Sequence, residues 1–333
     1  MSASPDLASC ELCEHRCKVN RLAGELGVCG MAGPVVASAQ VHPAPPASYT
    51  VFMAGCNLKC LNCQNWTVSS YPATDAGVRG FVDPAELARE CVEALDSFAG
   101  RLISADRIFF SGGAPDIHLP YVEEVVREAR RLAPGTRVNF DTNGFLTEAS
   151  LRRVLAFATS VTFDIKAFSD EVHRTLTGAS VKPVLRNAEI VGGEHRDQLW
   201  EYRVLVIPGM TDDQVEPLCD FIASIDRDLP VCFLAFRPNF ALADHPGASL
   251  RLMERCLDVA RSKGLTKAHW AGMPAIPGRV AAPDPDLFPH YRDLSARLAA
   301  TYAARAGCAT HPRDCAACSS NCRLKGYVPT RAT

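Results

Sequence analysis

The sequence predicts an α/β fold in which parallel strands alternate with helices packed outside them. Three observations predict it. Short apolar runs alternate with amphipathic helical patterns along the middle of the chain. The apolar runs end in Gly, Asp, Asn, Lys or Pro, and polar residues at the C-terminal ends of strands suit a barrel or partial barrel with its site on that face. The composition, 47% hydrophobic and 22% charged over 333 residues, is enough for one large domain with appendages or for two domains. A doubly wound sheet fits the same alternation.

The elements follow in order. Residues 1–45 read as a small cysteine-held module that ends in "VHPAPPAS", an extended connector. The β-rich run "YTVFMAG" follows and breaks at Gly55. A helix is predicted from "DPAELARECVEALDSFA", with Asp83 as N-cap, Pro84 in the first turn, and Leu87, Cys91 and Leu95 on one face. The further strands are "RIFFSGG", "RVNFDTNG", "SVTFDIKA", "EYRVLVIPG", "VCFLAF" and "TKAHWAG". Helical patterns lie near 119–132, 147–157, 183–191, 213–226 and 249–263. The core is expected over 46–273. Residues 274–333 read as a proline-rich linker, a helix near 290–305 and a second cysteine-rich module.

Eleven of the fifteen cysteines are clustered, which directs attention to metal or redox chemistry. They are Cys10, Cys13, Cys17 and Cys29; Cys56, Cys60 and Cys63; and Cys308, Cys315, Cys318 and Cys322. Cys91, Cys219, Cys232 and Cys256 sit in apolar stretches and are expected in the core. The middle group, in "GCNLKCLNCQNW", has CxxxCxxC spacing and no fourth cysteine beside it. Three thiolates so spaced can wrap one corner of a cubane cluster and leave one iron without a protein ligand. Closed metal sites are structural and open ones reactive, so the missing fourth cysteine is the informative feature. The alternative is a zinc knuckle that borrows a distant cysteine.

This loop resembles the signature of the radical S-adenosylmethionine (SAM) superfamily. The resemblance implies a partial (β/α)6 TIM-like barrel and an open-site [4Fe–4S] cluster on Cys56, Cys60 and Cys63. It also implies reductive cleavage of SAM to a 5′-deoxyadenosyl radical that abstracts hydrogen from a substrate. "FFSGGAPD" resembles the family's glycine-rich strand end, where Gly112 and Gly113 would let backbone groups approach the SAM amino group, although Ala114 stands where an acidic residue is common. "NFDTNGF" and "FDIKAFSDE" resemble strands of glycyl-radical activating enzymes, which implies that Asp141 and Asn143 face the cofactor. Asp164 and Lys166 would share one strand face, with Lys166 meeting a carboxylate or, as the alternative, forming a barrel-mouth ion pair. "RVLVIPGMTDD" resembles the late strand against the adenosine, to which Val206, Ile207 and Pro208 would give apolar contact. Asn62 stands where the family commonly stacks an aromatic residue on adenine; Trp66 either helps there or is core.

The N-terminal "CELCEHRCKVNRLAGELGVCG" resembles proteins related to pyruvate formate-lyase activating enzyme, including the radical enzymes associated with AMMECR1- and Memo-type proteins. Both flanking cysteine groups are expected to hold an auxiliary [4Fe–4S] cluster or zinc. A zinc-binding interaction protein built on such modules is the alternative function. A one-electron donor such as flavodoxin or ferredoxin is the expected partner, with a protein, a peptide or a small molecule as substrate. A net charge of −2 gives no basic footprint for nucleic acid. No run of about 18 apolar residues is present, so no membrane span is expected. The first residues carry no charged-then-apolar leader, so a cytoplasmic location is expected.

Overall fold

The computed structural model describes residues 4–74, 76–242 and 245–272. The expected linker, helix and cysteine module of 274–333 lie outside the described residues. The chain divides into two compact units. The first comprises the residues up to Asn57, Asn65–Asp164 and Pro183–Tyr202; the second comprises Leu58–Gln64, Ile165–Lys182 and the residues from Arg203 onward.

Eight strands are described: β1 (Val36–His42), β2 (Ser48–Met53), β3 (Arg107–Gly112), β4 (Arg137–Thr142), β5 (Ser160–Asp164), β6 (Leu199–Val206), β7 (Val231–Ala235) and β8 (Ala268–Ala271). Strand order is chain order. In the first unit β1 pairs antiparallel with β2, and β2 to β5 pair parallel in succession. In the second unit β7 and β8 are parallel. The helices between strands are α1 (Pro84–Asp96), α2 (Phe98–Leu102), α3 (Leu119–Leu132), α4 (Glu148–Phe157), α5 (Asp170–Thr177), α6 (Lys182–Glu194), α7 (Val215–Ile225) and α8 (Leu250–Ser262). Parallel neighbours in chain order joined by helical crossovers are the connectivity of a partial (β/α) barrel, as the sequence predicts.

Local chemistry explains the elements. The Asp83 side chain accepts from the Ala85 and Glu86 N–H groups, and Pro84 opens α1 where no N–H is needed. One face of these strands is apolar and wholly buried, with Ile108 and Phe110, Val138 and Phe140, and Val161 and Phe163 at alternate positions. The other face carries polar residues, among them Asn139 and Thr162, which are hydrogen-bonded to each other at 2.9 Å. Cys91, Cys219, Cys232 and Cys256 are core residues, as expected.

Three expectations change. The predicted connector begins inside a strand, because β1 runs to His42 and pairs it with Ser48. Trp66 is not core; it opens a single helical turn, Trp66–Ser69, and is 37% exposed. Helix α5 has no counterpart among the predicted helices. Among the described residues no helix is long and apolar enough to cross a membrane.

The junction of β2 with β3 requires glycine. Gly112 has φ +109°, and a Cβ there would lie 2.5 Å from both the N and the O of Met53. Gly112→Ala should therefore cost about 1–3 kcal/mol, read as a lower melting midpoint by circular dichroism. An unchanged midpoint would show that the junction tolerates a side chain.

Candidate active site

The cysteine loop leaves β2 through Gly55, whose positive φ of +77° turns the chain and whose missing Cβ makes room for the Met31 side chain. The paired glycines at the end of β3 hold the start of the loop. The Gly113 N–H donates to Met53 O (2.8 Å), and the Ala114 N–H donates to Gly55 O (2.9 Å). A Cβ on Gly113 would sit 2.0 Å from Gly55 O, so the approach is possible only with glycine. Asn65 Nδ2 donates to Gly112 O at 3.0 Å.

Cys56 is buried in the first unit. Asn143, in the loop after β4, donates through Nδ2 to Asn57 Oδ1 (2.7 Å) and lies 3.9 Å from Cys56 Sγ. Its side-chain Oδ1 accepts the Phe145 N–H at 3.0 Å. Asn187 on α6 fixes the same loop by donating to Gly144 O (2.9 Å) and Leu146 O (2.7 Å). Asn143, expected to face the cofactor, thus stands beside the Cys56 sulfur, and its partner Asn57, between the cysteines, was not singled out from the sequence.

Two carboxylates follow at the strand ends. Asp141 accepts from the Ser111 hydroxyl at 2.6 Å. Asp116 is wholly buried; its Oδ1 accepts from the Thr142 hydroxyl at 2.7 Å, and its Oδ2 has no partner among the described residues. Burial pushes Asp116 up to about 7; the Thr142 hydrogen bond opposes the rise and the charge of Asp141 adds to it. Near neutrality Asp116 is therefore poised between acid and carboxylate. His118 donates from Nε2 to Ala54 O (2.7 Å); burial, with the charge of Arg21, lowers its pKa to about 3 and keeps it neutral.

The second unit carries the rest of the loop. The Lys59 N–H donates to Thr177 O and the Leu61 N–H to Leu176 O, both at 2.9 Å, and the Cys63 N–H donates to Cys60 O at 3.2 Å. Helix α5 therefore pins the segment that presents Cys60, the buried Asn62 and Cys63. It starts at Ser169, whose hydroxyl accepts the Val172 N–H, carries Asp170 and Glu171 in its first turn, and stops at Gly178 with φ +78°. Those cap signals were present in "FSDEVHRTLTG" and could have revealed the helix. His173 on α5 donates from Nδ1 to Ala179 O (2.7 Å), and burial lowers its pKa to about 4.

Lys166 is half-buried between the wholly buried Ile165 and Ala167, which continues the period-two pattern from Asp164, itself half-buried at the end of β5. Val206 is wholly buried and its carbonyl accepts the Phe236 N–H at 3.2 Å. Pro208 O accepts from His245 Nε2 at 2.8 Å. Within the first unit the structure gathers Cys56, Gly112, Gly113, Asp141 and Asn143. The second unit carries Cys60, Asn62, Cys63, Lys166, Val206 and Pro208. Cys308, Cys315, Cys318 and Cys322 lie outside the described residues.

The donor set fits a thiolate-bound cluster with a charged small molecule beside it. Three cysteines come from one short loop, and a buried amide donor, Asn57 Nδ2, and a buried acceptor, Asp116 Oδ2, have no partner among the described residues. The model of the Radical SAM superfamily matches residues 50–222.

The chain belongs to the radical SAM superfamily.

The matched span holds every residue named above from Thr50 to Gly209, the three-cysteine loop and the glycine pair included. Membership in the radical SAM superfamily implies a [4Fe–4S] cluster and SAM. Both flanking cysteine groups lie outside the match. The chain is 25% identical over 271 residues to an uncharacterized protein of Methanocaldococcus jannaschii, MJ0674, covering 77% of this chain and 75% of that one. It is 28% identical over 194 residues to the pyruvate formate-lyase-activating enzyme of Staphylococcus epidermidis, covering 55% and 72%. Among solved structures, a domain of pyruvate-formate lyase-activating enzyme from Bacteroides vulgatus matches with TM-score 0.42 and 21% identity, over 50% of this chain and 100% of that one.

The raised Asp116 gives a signed pH dependence. In the unfolded chain this carboxyl ionises from about 3.8, whereas in the fold it keeps its proton up to about 7. The unfolded state therefore loses its proton first, and Asp116 costs the fold stability progressively across that window, levelling off above it. Asp116→Asn should flatten that part of the profile in urea-unfolding midpoints measured from pH 4 to pH 8. Parallel wild-type and variant profiles would show that Asp116 keeps no proton in the fold.

Proposed function

We propose that the chain is an activating-enzyme-like oxidoreductase that cleaves SAM reductively and draws hydrogen from a substrate through the resulting 5′-deoxyadenosyl radical. The observation that carries this reading is the three-cysteine loop. Its first sulfur lies beside the Asn143 amide, and the backbone around its second and third cysteines is tied to α5. Cys56, Cys60 and Cys63 would hold the cluster, which would supply the single electron for cleavage of SAM.

The chain's own residues do the positioning. Asn143 puts its Nδ2 donor next to the Cys56 sulfur and is held there by the Asn57 Oδ1 acceptor, and a hydrogen bond donated to sulfur tunes a cluster's potential. Gly112 and Gly113 keep side chains away from the strand end where the SAM amino group would lie. Asp141 and Asp116 offer carboxylate oxygens there in place of the side chain that Ala114 lacks. Lys166 supplies a cation for a carboxylate of cofactor or substrate. Val206 and Pro208 offer apolar surface to the adenosine, and Asn62 takes the position of the missing aromatic.

The activating-enzyme assignment is supported by relatives of that name, including the isethionate sulfite-lyase activating enzyme of Nitratidesulfovibrio vulgaris at 24% identity, and by the "DTNG" and "DIK" motifs. The substrate is a protein glycyl site, a peptide or a small molecule. A flavodoxin or ferredoxin in the cytoplasm is the proposed electron source.

Anoxically reconstituted protein should be brown and should release 5′-deoxyadenosine from SAM when reduced with dithionite; Cys60→Ala should abolish that release. Continued cleavage by the variant would refute the ligand assignment. A colourless preparation that carries only zinc would favour the zinc-binding interaction protein instead. Replacing Cys315 and Cys318 together with Ser should leave cofactor cleavage intact and impair substrate turnover. Loss of cleavage in folded protein would rule out an auxiliary role for them.

A further inference from the structure

Cys10, Cys13, Cys17 and Cys29 lie outside the matched family span, yet the fold brings them together. The four residues line one small enclosed cavity with Leu12, Val19 and Ile117. No disulfide joins them. Each sulfur is met by an N–H donor. Arg21 Nη1 reaches Cys10 Sγ at 3.8 Å, and the Val28 N–H reaches Cys17 Sγ at 3.5 Å. The backbone N–H of His15 serves Cys13, and that of Met31 serves Cys29. In those last two the donor is the second residue after the cysteine, which is a turn that stabilises a thiolate. Gly27 permits the closeness, since a Cβ there would lie 2.9 Å from Cys17 Sγ.

Arg21 is 3% exposed and is a permanent cation. Its acceptors are the neutral carbonyls Ala32 O (3.2 Å) and Ile117 O (2.6 Å) and the sulfur of Cys10. None of these acceptors offsets the guanidinium charge unless a cysteine is a thiolate, and a buried charge without a counter-charge is costly.

We infer that Cys10, Cys13, Cys17 and Cys29 form a closed four-thiolate centre for a thiophilic metal, with Arg21 as its counter-ion. On binding a dipositive zinc ion or cubane core, the four thiols release four protons. The centre then carries two negative charges, one of which Arg21 offsets. With four protein ligands no position stays open, so this centre takes no substrate. Its role is to set the module against the site loops. Around it, the Glu14 N–H donates to Phe145 O (3.1 Å), the Thr147 N–H to Leu12 O (3.2 Å), and His15 Nε2 to Asn57 O (2.8 Å).

The test uses the full chain with Cys56, Cys60 and Cys63 changed to Ala and Cys315 and Cys318 changed to Ser, purified without oxygen. The expected content is about one zinc, or about four irons with as much sulfide, per chain. Adding Cys10→Ser and Cys29→Ser should remove it. Absence of metal in the folded background protein, or its survival of those two changes, would overturn the inference. Alkylation of the wild-type protein followed by mass spectrometry covers the case of poor folding. The half-exposed Cys10 and Cys17 should be modified about tenfold faster once EDTA and ferricyanide have stripped the metal and the thiols have been re-reduced. Equal rates before and after would also overturn it. This reading and the cofactor-cleaving one fail separately, because 5′-deoxyadenosine reports the central loop and residual metal reports this centre.

Discussion

The structure is organised by a constraint on one short loop: three sulfurs must be presented from eight residues without a fourth ligand to lock them. A loop of that kind gains no rigidity from a closed coordination sphere before metal arrives. Its rigidity comes from the backbone on either side. At its start, the Gly113 and Ala114 N–H groups hold the strand exit and the Asn143–Asn57 amide pair holds the first cysteine. Toward its end, the N–H groups of Lys59 and Leu61 are tied to the last carbonyls of α5. Ordering the glycines costs conformational entropy, while the helix-end carbonyls, which lack intrahelical partners, gain donors from the loop.

The titratable groups near the first cysteine show what such a setting does to ionisation. Asp116 and His118 lie two residues apart and are both fully buried, yet they move in opposite directions because burial disfavours whichever form is charged. The result is a neutral histidine whose Nδ1 is an acceptor and a carboxyl that holds its proton into the neutral range. Together they lower the net charge that the fold must tolerate beside a cluster with thiolate ligands.

Much of this was legible in the sequence, for physical reasons. The strands of the core announce themselves by apolar residues at every second position, as in "RVNFDTNG" and "SVTFDIKA". The Asp83-Pro84 pair marks a helix start because each residue suits only one or two positions of the first turn. The parts that were hidden lack such singular signals. Strand β1, "VASAQVH", alternates small and polar residues ahead of a proline run and so resembles a linker; only its partner β2 makes it a strand. Helix α5 is short and mostly polar, and its buried face rests on His173, Leu176 and Thr177. Asn57 was hidden inside the motif itself, where the cysteines draw attention and the residue between them looks like filler. Trp66 looked like core because tryptophan usually is, but it lies at the rim of a turn.

Strand β1 also occupies the outer hydrogen-bonding edge of β2, from the Ser38–Phe52 pairing to the His42–Ser48 pairing. An open strand edge is a template for adventitious pairing between chains. A shortened chain that begins at β2 would bare that edge and be prone to aggregate. The first forty residues thus act as a solubility cover for the parallel strands, a duty separate from any metal they hold.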